Sequence, residues 1–339
     1  MVTEINIASV FSLHQTIIDV RSLGEFKKGH IPNAINIPLF TDEERAHVGT
    51  VYVQKSQEAA IKLGYEYVTP KLQDFVNDAF KIAPNGNVIV HCWRGGMRSH
   101  AFAQHLVENG FNDVKLIIGG YKAYRNYVLD NLATPAQIKV LGGYTGSGKT
   151  HILNELKKLG HQMIDLEGLA HHKGSAFGGI GQPEQPTVEQ FENNLHKEFQ
   201  LLDLTRPIWV EDESYDIGRV KIPKPFYEQM QEAQLYFIEI SQHERAKHLV
   251  LEYGICDNQL LAESIHRISK RLGGLSVKNA ISALEQDDYY DVAMIALHYY
   301  DKLYLKGMNN PKWKNVITIP LPTINHYENA LILEKINRK

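Results

Sequence analysis

The segment 143–150, Gly-Tyr-Thr-Gly-Ser-Gly-Lys-Thr, constrains the fold of this chain more than any other stretch. An apolar strand pattern at 138–141 precedes it, and a helix pattern at 152–159 follows it. In that setting glycines let backbone N–H groups wrap a phosphate chain, Lys149 reaches its outer phosphates, and Thr150 can hold a magnesium ion where one is bound. The sequence therefore predicts a parallel-sheet α/β domain with a phosphate site. The expected phosphate-binding residues are Gly143, Thr145, Gly146, Ser147, Gly148, Lys149 and Thr150.

This spacing is typical of P-loop proteins, which bind a diphosphate group whatever is attached to it. The loop thus predicts phosphate binding, but it does not predict that a nucleotide is hydrolysed. A second apolar run, at 207–210, ends in the carboxylates Glu211, Asp212 and Glu213. These carboxylates either orient a metal ion or a water molecule, or they simply close an acidic loop, and the sequence does not choose between the two.

A second anion-binding loop is predicted at 91–99, His-Cys-Trp-Arg-Gly-Gly-Met-Arg-Ser, between an apolar strand at 88–90 and a helix at 101–106. Backbone N–H groups of such a loop and the start of the following helix favour a thiolate over a thiol. Cys92 is therefore expected to be a nucleophile at neutral pH. Arg94 and Arg98 add guanidinium groups that grip oxyanions with paired hydrogen bonds. We predict Cys92, Arg94 and Arg98 as the catalytic residues.

Three further segments accompany this loop: 19–21 (Asp-Val-Arg), 29–32 (Gly-His-Ile-Pro) and 118–121 (Ile-Gly-Gly-Tyr). Together with the cysteine loop they resemble rhodanese domains, which are α/β domains that carry sulfur or selenium on the loop cysteine. Arg98 lies six positions after Cys92, one more than in common sulfurtransferase loops. That is the Cys-x5-Arg spacing of phosphatase-like relatives, so spacing alone leaves phosphatase chemistry open. Asp19 either orients the neighbouring loop or is a plain turn residue.

A chain of 339 residues is expected to form two domains. We predict a rhodanese-like α/β domain over 1–130, a linker over 131–137 and a P-loop domain with a helical C-terminal region over 138–339. Two cysteines, no signal-peptide pattern and no apolar run long enough for a bilayer indicate a cytoplasmic location. The adjacent histidines His171 and His172 have no third ligand nearby in sequence, so no metal site is predicted.

The net charge of −3 excludes a global basic field, so any nucleic-acid contact must use local patches. One candidate patch follows the strand that ends in Glu211, Asp212 and Glu213. The other consists of basic residues near position 270 whose helical spacing predicts that they share one helix face. Such groups are usually solvated surface, but with an RNA substrate they would contact phosphates. The residues of the two patches are Arg219 and Lys221, and Arg267, Lys270 and Arg271.

The fusion of the two loops, and above all the sequence of 92–99, resembles the bacterial tRNA 2-selenouridine synthase family over nearly the whole chain. The resemblance implies that selenium replaces the 2-thio sulfur of the wobble uridine (U34) of tRNA through an S-geranyl-2-thiouridine intermediate. It further implies that the P-loop holds geranyl diphosphate, that Cys92 carries or delivers selenium, and that Arg98 and the loop amides bind the phosphate of selenophosphate. The tRNA anticodon loop is the expected partner. No tightly bound cofactor is expected, and Mg²⁺ is compatible with the P-loop.

The residues by themselves leave a second hypothesis open, in which a Cys-x5-Arg phosphatase domain is fused to a small-molecule kinase-like domain. The loop spacing supports it, whereas the sequence offers no compelling general acid near Cys92. A third hypothesis, a nucleotide- or tRNA-binding module without chemistry, is disfavoured by the two intact anion loops.

Overall fold

The computed structural model describes residues 1–308 and 315–337, and it divides into two compact units. The first unit comprises Met1–Asn131 with Glu192–Asn194, and the second comprises Leu132–Phe191 with Leu195–Lys339. The first two residues of the predicted linker at 131–137 belong to a helix, Gly120–Leu132. The helix continues to Leu132 because this side chain is fully buried in the core.

The first unit contains a five-stranded, all-parallel sheet with strand order β1-β5-β4-β2-β3 and flanking helices. Its elements are β1 (Val2–Ile5), α1 (Ile7–Val10), β2 (Thr16–Asp19), α2 (Leu23–Lys28), β3 (Ile35–Asn36), α3 (Asp42–Gln54), α4 (Gln57–Val68), a 3₁₀ turn (Thr69–Lys71), α5 (Leu72–Ile82), β4 (Asn87–His91), α6 (Met97–Glu108), β5 (Asp113–Ile117) and α7 (Gly120–Leu132).

The central strand β4 positions the cysteine loop. Its residues Val88, Ile89 and Val90 are fully buried, as expected for a parallel strand covered on both faces. The register pairs Asp19 at the end of β2 with His91 at the end of β4. Cys92 therefore leaves the sheet at its carboxyl edge, beside the end of β2.

The second unit contains another five-stranded parallel sheet, with strand order β12-β11-β6-β8-β7, and a short antiparallel ribbon, β9-β10. Its elements are β6 (Ile138–Gly143), α8 (Lys149–Lys158), β7 (Gln162–Met163), α9 (Leu166–Ala170), α10 (Val188–Phe199), β8 (Ile208–Glu211), β9 (Asp216–Ile217), β10 (Val220–Lys221), α11 (Lys224–Glu232), β11 (Gln234–Glu239), α12 (Gln242–Tyr253), α13 (Asn258–Arg267), α14 (Ser269–Leu272), α15 (Gly274–Leu284), α16 (Tyr289–Met308), β12 (Val316–Pro320) and α17 (His326–Asn337).

The strand–loop–helix order around 143–150 is confirmed, and so is the α/β fold class of both halves. Helix α8 begins at Lys149 instead of near 152, because Gly148 caps the helix and the first turn faces the phosphate site, where an apolar pattern is not needed. Strand β7 ends at Met163, and the Asp165 side chain then accepts a hydrogen bond from the Gly168 amide and starts α9. None of the helices in the described part of the chain is long and apolar enough to cross a bilayer.

Candidate active site

The loop that carries Cys92 is held in place by the Gly-Gly turn at 119–120. The Tyr121 amide donates to the Cys92 carbonyl over 2.9 Å. Gly95 has φ +64° and Gly120 has φ +58°, and a Cβ on Gly120 would overlap the Cys92 carbonyl oxygen and the Gly95 amide nitrogen. Only glycine at 120 permits this close approach. A Cβ on Gly95 would lie 2.7 Å from the Ile117 carbonyl oxygen, so backbone packing requires glycine at this position too.

The Cys92 thiol is buried, with 3% of the residue exposed, yet it borders a cavity of about 920 Å³. Its Sγ lies 3.2 Å from the Ser99 hydroxyl. Burial by itself would raise the pKa of Cys92, but the Ser99 hydrogen bond, the Arg98 charge and the Ser99 and Arg94 amides outweigh it and hold the pKa below its usual value. The loop therefore favours the thiolate form of Cys92. A molecule reaches this thiolate through the cavity.

The two loop arginines occupy different surroundings. The Arg94 side chain is exposed, while its backbone amide faces the thiol. The Arg98 Nη1 donates to Glu25 Oε2 over 2.9 Å, and Glu25 belongs to a capping box that Ser22 begins at the start of α2. Glu25 thus orients Arg98 towards the loop. The two residues are 73 positions apart in the chain.

Buried polar side chains at the ends of β2 and β4 support the cysteine loop. The Arg21 Nη2 donates to Asp19 Oδ2 over 2.6 Å, and the Arg21 guanidinium stacks 3.7 Å from the Tyr121 ring centroid. His91 Nε2 lies 3.7 Å from the same carboxylate. Burial lowers the pKa of His91 despite the neighbouring Asp19, so this imidazole is neutral at pH 7. Of the two interpretations of Asp19, the structure supports the orienting one.

The cavity beside Cys92 offers little to a phosphatase mechanism. Among its described lining residues the sole carboxylate is Glu108, which accepts a hydrogen bond from Gln104 on an exposed turn of α6. Most of the lining is apolar, with Leu39, Phe40 and Val48 among its members. Among the described lining residues no carboxylic acid other than Glu108 could protonate a phosphate-ester leaving group, and the Nε2 of His105, which also lines the cavity, lies 3.1 Å from the Leu72 carbonyl oxygen.

The phosphate loop brings all seven predicted residues to one cavity of about 760 Å³. Gly146 has φ +79° and Gly148 has φ +72°, and a Cβ on them would meet Leu249 and His326, each at 2.9 Å. The Lys149 Nζ lies 3.3 Å from the Gly143 carbonyl oxygen and so folds back over the loop. Glycines with positive φ and a lysine folded back over the loop are features of loops that cradle a diphosphate.

Carboxylates face the loop from two neighbouring elements. The Thr150 hydroxyl donates to Glu167 Oε2 over 3.0 Å, at the start of α9. Burial, followed by the charge of Glu167, raises the pKa of Glu213 well above its usual range. Burial and the charges of Asp165 and Glu167 do the same to the pKa of Glu211.

The three carboxylates at the end of β8 have separate roles. Glu211 Oε2 accepts from the Leu166 amide over 3.0 Å, and its buried Oε1 has no hydrogen-bond partner among the described residues. Asp212 accepts from the Tyr304 hydroxyl. Glu213 borders the cavity beside Lys149. The carboxylates of Glu167 and Glu213 and the Thr150 hydroxyl are hard oxygen donors at the phosphate cavity, and they would hold Mg²⁺, which would neutralise phosphate charge.

The far side of the phosphate cavity is apolar. Side chains of α13 and α16 and of the segment before α10 line it, among them Phe177, Leu261, Ile268, Val292, Ala296 and Leu297. The Tyr300 hydroxyl, from α16, accepts from the Ala176 amide over 3.1 Å and so ties that segment over the cavity. The cavity therefore joins a diphosphate cradle to a hydrocarbon-lined compartment.

The predicted RNA-contact residues fall on three elements. Arg219 and Lys221 lie on the β9–β10 ribbon, where Lys221 pairs with Asp216. The expectation that Arg267, Lys270 and Arg271 share one helix face is wrong, because α13 ends at Arg267 and α14 starts anew at Ser269. Arg271 borders the phosphate cavity instead.

Comparison with known proteins agrees with this architecture. A model of the tRNA 2-selenouridine synthase AAA domain matches residues 136–319, and a model of the rhodanese-like domain matches residues 8–127. The tRNA 2-selenouridine synthase of Shewanella denitrificans is 36% identical, with 88% of this chain and 89% of that protein covered. The proteins of the same name from Nitrosomonas europaea and Bdellovibrio bacteriovorus are 32% and 33% identical, covering 91% and 88% of this chain and 94% and 90% of their own. The chain therefore belongs to the tRNA 2-selenouridine synthase family.

Proposed function

We propose that this protein converts 2-thiouridine to 2-selenouridine at the wobble position of tRNA, with geranyl diphosphate as the ligand of the phosphate loop and selenophosphate as the selenium donor. One observation carries the choice of geranyl diphosphate: a single cavity of about 760 Å³ has the diphosphate cradle at one side and apolar side chains at the other. An amphiphilic diphosphate matches both sides. A cytoplasmic location, where tRNA and reduced cysteines are found, is part of the proposal.

The first step is S-alkylation of the base. The thiouridine sulfur attacks the first carbon of the geranyl chain, the S–C bond forms, the C–O bond to diphosphate breaks, and the N3 proton of the base passes to water. Lys149 and the loop amides stabilise the charge that develops on the departing diphosphate. The apolar side of the cavity holds the chain and keeps water from the allylic carbon. Alkylation turns the sulfur into a leaving group.

The second step takes place at Cys92. Selenium in selenophosphate is already at the selenide level, so its release needs no redox partner. The Cys92 thiolate attacks phosphorus, the S–P bond forms, and the P–Se bond breaks, while Arg98 and the loop amides hold the phosphate oxygens. The released hydrogen selenide ion attacks C2 of the geranylated base, the C–Se bond forms, its proton moves to N3, and the C–S bond breaks to expel geranylthiolate. Water then hydrolyses the phosphocysteine and restores the thiol.

The lining of the Cys92 cavity suits this second step. Its walls are mostly apolar, and its mouth carries the exposed side chains of Tyr52, Val53 and Met97. A geranylated base can bury its chain there before geranylthiol leaves. The anticodon loop is single-stranded, so its bases can be splayed out to reach such a cavity. Arg219, Lys221, Arg267, Lys270 and Arg271 stay proposed phosphate contacts for the tRNA.

Ligand binding to the phosphate loop tests the first step. Geranyl diphosphate, inorganic pyrophosphate and ATP would be titrated into the protein with Mg²⁺ by calorimetry. Burial of a hydrocarbon chain is worth about 0.8 kcal/mol per CH₂, so geranyl diphosphate should bind at least ~100-fold tighter than pyrophosphate. Tighter binding of ATP than of geranyl diphosphate would contradict the proposal.

A further inference from the structure

A cluster of nitrogen and oxygen donors lies beside the phosphate loop and has no part in the chemistry above. His151 comes from the first turn of α8, and His248 and Glu252 come from α12. The ligand atoms of these three side chains all lie within 4.8 Å of one another. His151 Nε2 is 3.2 Å from Glu252 Oε1, and His248 Nε2 is 3.9 Å from the same oxygen.

We propose that His151, His248 and Glu252 bind one first-row divalent transition-metal ion, with Zn²⁺ as the best chemical match. Donor atoms about 2.0–2.2 Å from a tetrahedral zinc ion lie roughly 3.3–3.6 Å from one another. The observed separations of 3.2 and 3.9 Å are close to this spacing. Two imidazoles and one carboxylate form a donor set typical of zinc sites with an open fourth position.

Helix α12 places two of the proposed ligands, His248 and Glu252, close together. His248 and Glu252 are four positions apart on α12, so their side chains lie on one face of the helix, one turn apart. His151 directly follows Thr150, whose placement is fixed by the phosphate loop. The site thus joins two rigid helices and needs only small side-chain rotations to close around an ion.

The surroundings orient the donors. Glu252 Oε2 accepts from the Lys173 Nζ over 3.1 Å, which leaves Oε1 directed at the two histidines. The His326 ring stacks on His151 at 4.6 Å and lies 5.4 Å from the His248 ring. Its Nε2 is buried and makes no hydrogen bond to the described residues. Hydrogen-bonded partners that fix a ligating carboxylate are typical of metal centres.

The open position would face the phosphate cavity, because all three ligands border it. This site is separate from the oxygen donors Thr150, Glu167 and Glu213 proposed for Mg²⁺, and its nitrogen donors select a softer ion. The inference does not depend on the identity of the diphosphate. It would stand if the phosphate loop bound a different molecule.

Cobalt substitution tests the site directly. Tag-free, metal-free protein would be titrated with Co²⁺ while visible absorption is recorded, and Zn²⁺ would then be added as a competitor. We expect a tetrahedral d–d band that saturates at one ion per chain and is abolished by Zn²⁺ but not by Mg²⁺. Absence of this band in the wild-type protein would overturn the proposal, since an ion-paired His151–Glu252–Lys173 network would give none.

Variants assign the ligands. His151→Gln changes a half-exposed side chain and should weaken Co²⁺ binding at least ~10-fold, as should Glu252→Gln. The control is His243→Ala, on α12 like Glu252. The His243 ring is exposed and hydrogen-bonded to the Tyr290 hydroxyl, so this variant should bind Co²⁺ like the wild type. Circular dichroism would confirm that each variant is folded. Equal Co²⁺ affinity in all three variants would refute the assignment.

Discussion

At the scale of single residues, the chemistry depends on how the fold tunes one thiol. Cys92 is buried, which opposes ionisation, while the Ser99 hydroxyl and the Arg98 guanidinium favour it and prevail. The loop pattern allowed a nucleophilic cysteine to be predicted, because a glycine-rich wrap before a helix has a local electrostatic consequence. The Glu25 partner of Arg98 could not be predicted from local sequence, because strand order brings them together.

The Arg98 charge makes a measurable difference to the thiol. Replacement of Arg98 by Met removes a cause that lowers the pKa of Cys92, so the pKa rises and less thiolate is present at neutral pH. The rate of iodoacetamide alkylation at Cys92, followed by peptide mass spectrometry, should then reach its half-maximum at a higher pH than in the wild type. Arg98→Lys keeps the charge and should shift the profile less. An unchanged profile for Arg98→Met would contradict this account.

A substitution at Gly120 tests the packing of the cysteine loop. Gly120→Ala adds a Cβ that overlaps the cysteine loop at φ +58°, so it should lower the thermal midpoint and abolish selenation. Gly110→Ala is the matched control, because its φ is +95° but a Cβ there would meet nothing within 4 Å. The control isolates the conformational cost of about 1–2 kcal/mol. Equal losses of stability in the two variants would show that the loop contact is unimportant.

At the scale of elements, strands and helices were predictable wherever an apolar period was uninterrupted, as in β4 and β6. The break between α13 and α14 was not, because Arg267, Lys270 and Arg271 keep helical spacing across it. The buried side chain of Ile268 marks the break, and burial depends on tertiary packing. The amphiphilic cavity was also missed, since its apolar side is assembled from separate helices.

Capping of α2 is linked to the cysteine loop. Glu25→Gln keeps the capping box, which Gln also completes, but removes the charge that pairs with Arg98, so it should reduce selenation while leaving geranylation unchanged. Glu44→Gln makes the same change in the equivalent box at α3, where the charge partner is Lys71, and should not affect selenation. Nucleoside analysis of both variants separates the two effects. Normal selenation by Glu25→Gln would contradict the orienting role.

Helix α16 provides part of the apolar side of the phosphate cavity. Ala296→Phe should fill part of that side and raise the KM for geranyl diphosphate about 10-fold or more, because an over-packed site costs 1–3 kcal/mol. Pyrophosphate affinity should stay unchanged, since the cradle at 143–150 is untouched. Equal loss of affinity for geranyl diphosphate and pyrophosphate would indicate that the variant is damaged as a whole. An unchanged KM for geranyl diphosphate would contradict the placement of the geranyl chain beside Ala296.

At the scale of the whole molecule, the chain contains two parallel α/β units, and each presents an anion loop where a central strand ends. The sequence predicted both units because each loop has to follow a strand and precede a helix. It did not predict the convergence of His151, His248 and Glu252, because 101 positions separate the first from the last. In the proposed function, the two loops carry out consecutive steps on one base.

The most direct test is mass spectrometry of nucleosides from thiolated tRNA incubated with geranyl diphosphate and selenophosphate. We predict that Cys92→Ser accumulates S-geranyl-2-thiouridine without 2-selenouridine. Lys149→Ala should leave 2-thiouridine unchanged yet convert tRNA that was geranylated beforehand. Formation of 2-selenouridine by Cys92→Ser at the wild-type rate, or normal geranylation by Lys149→Ala, would contradict the assignment of one step to each loop.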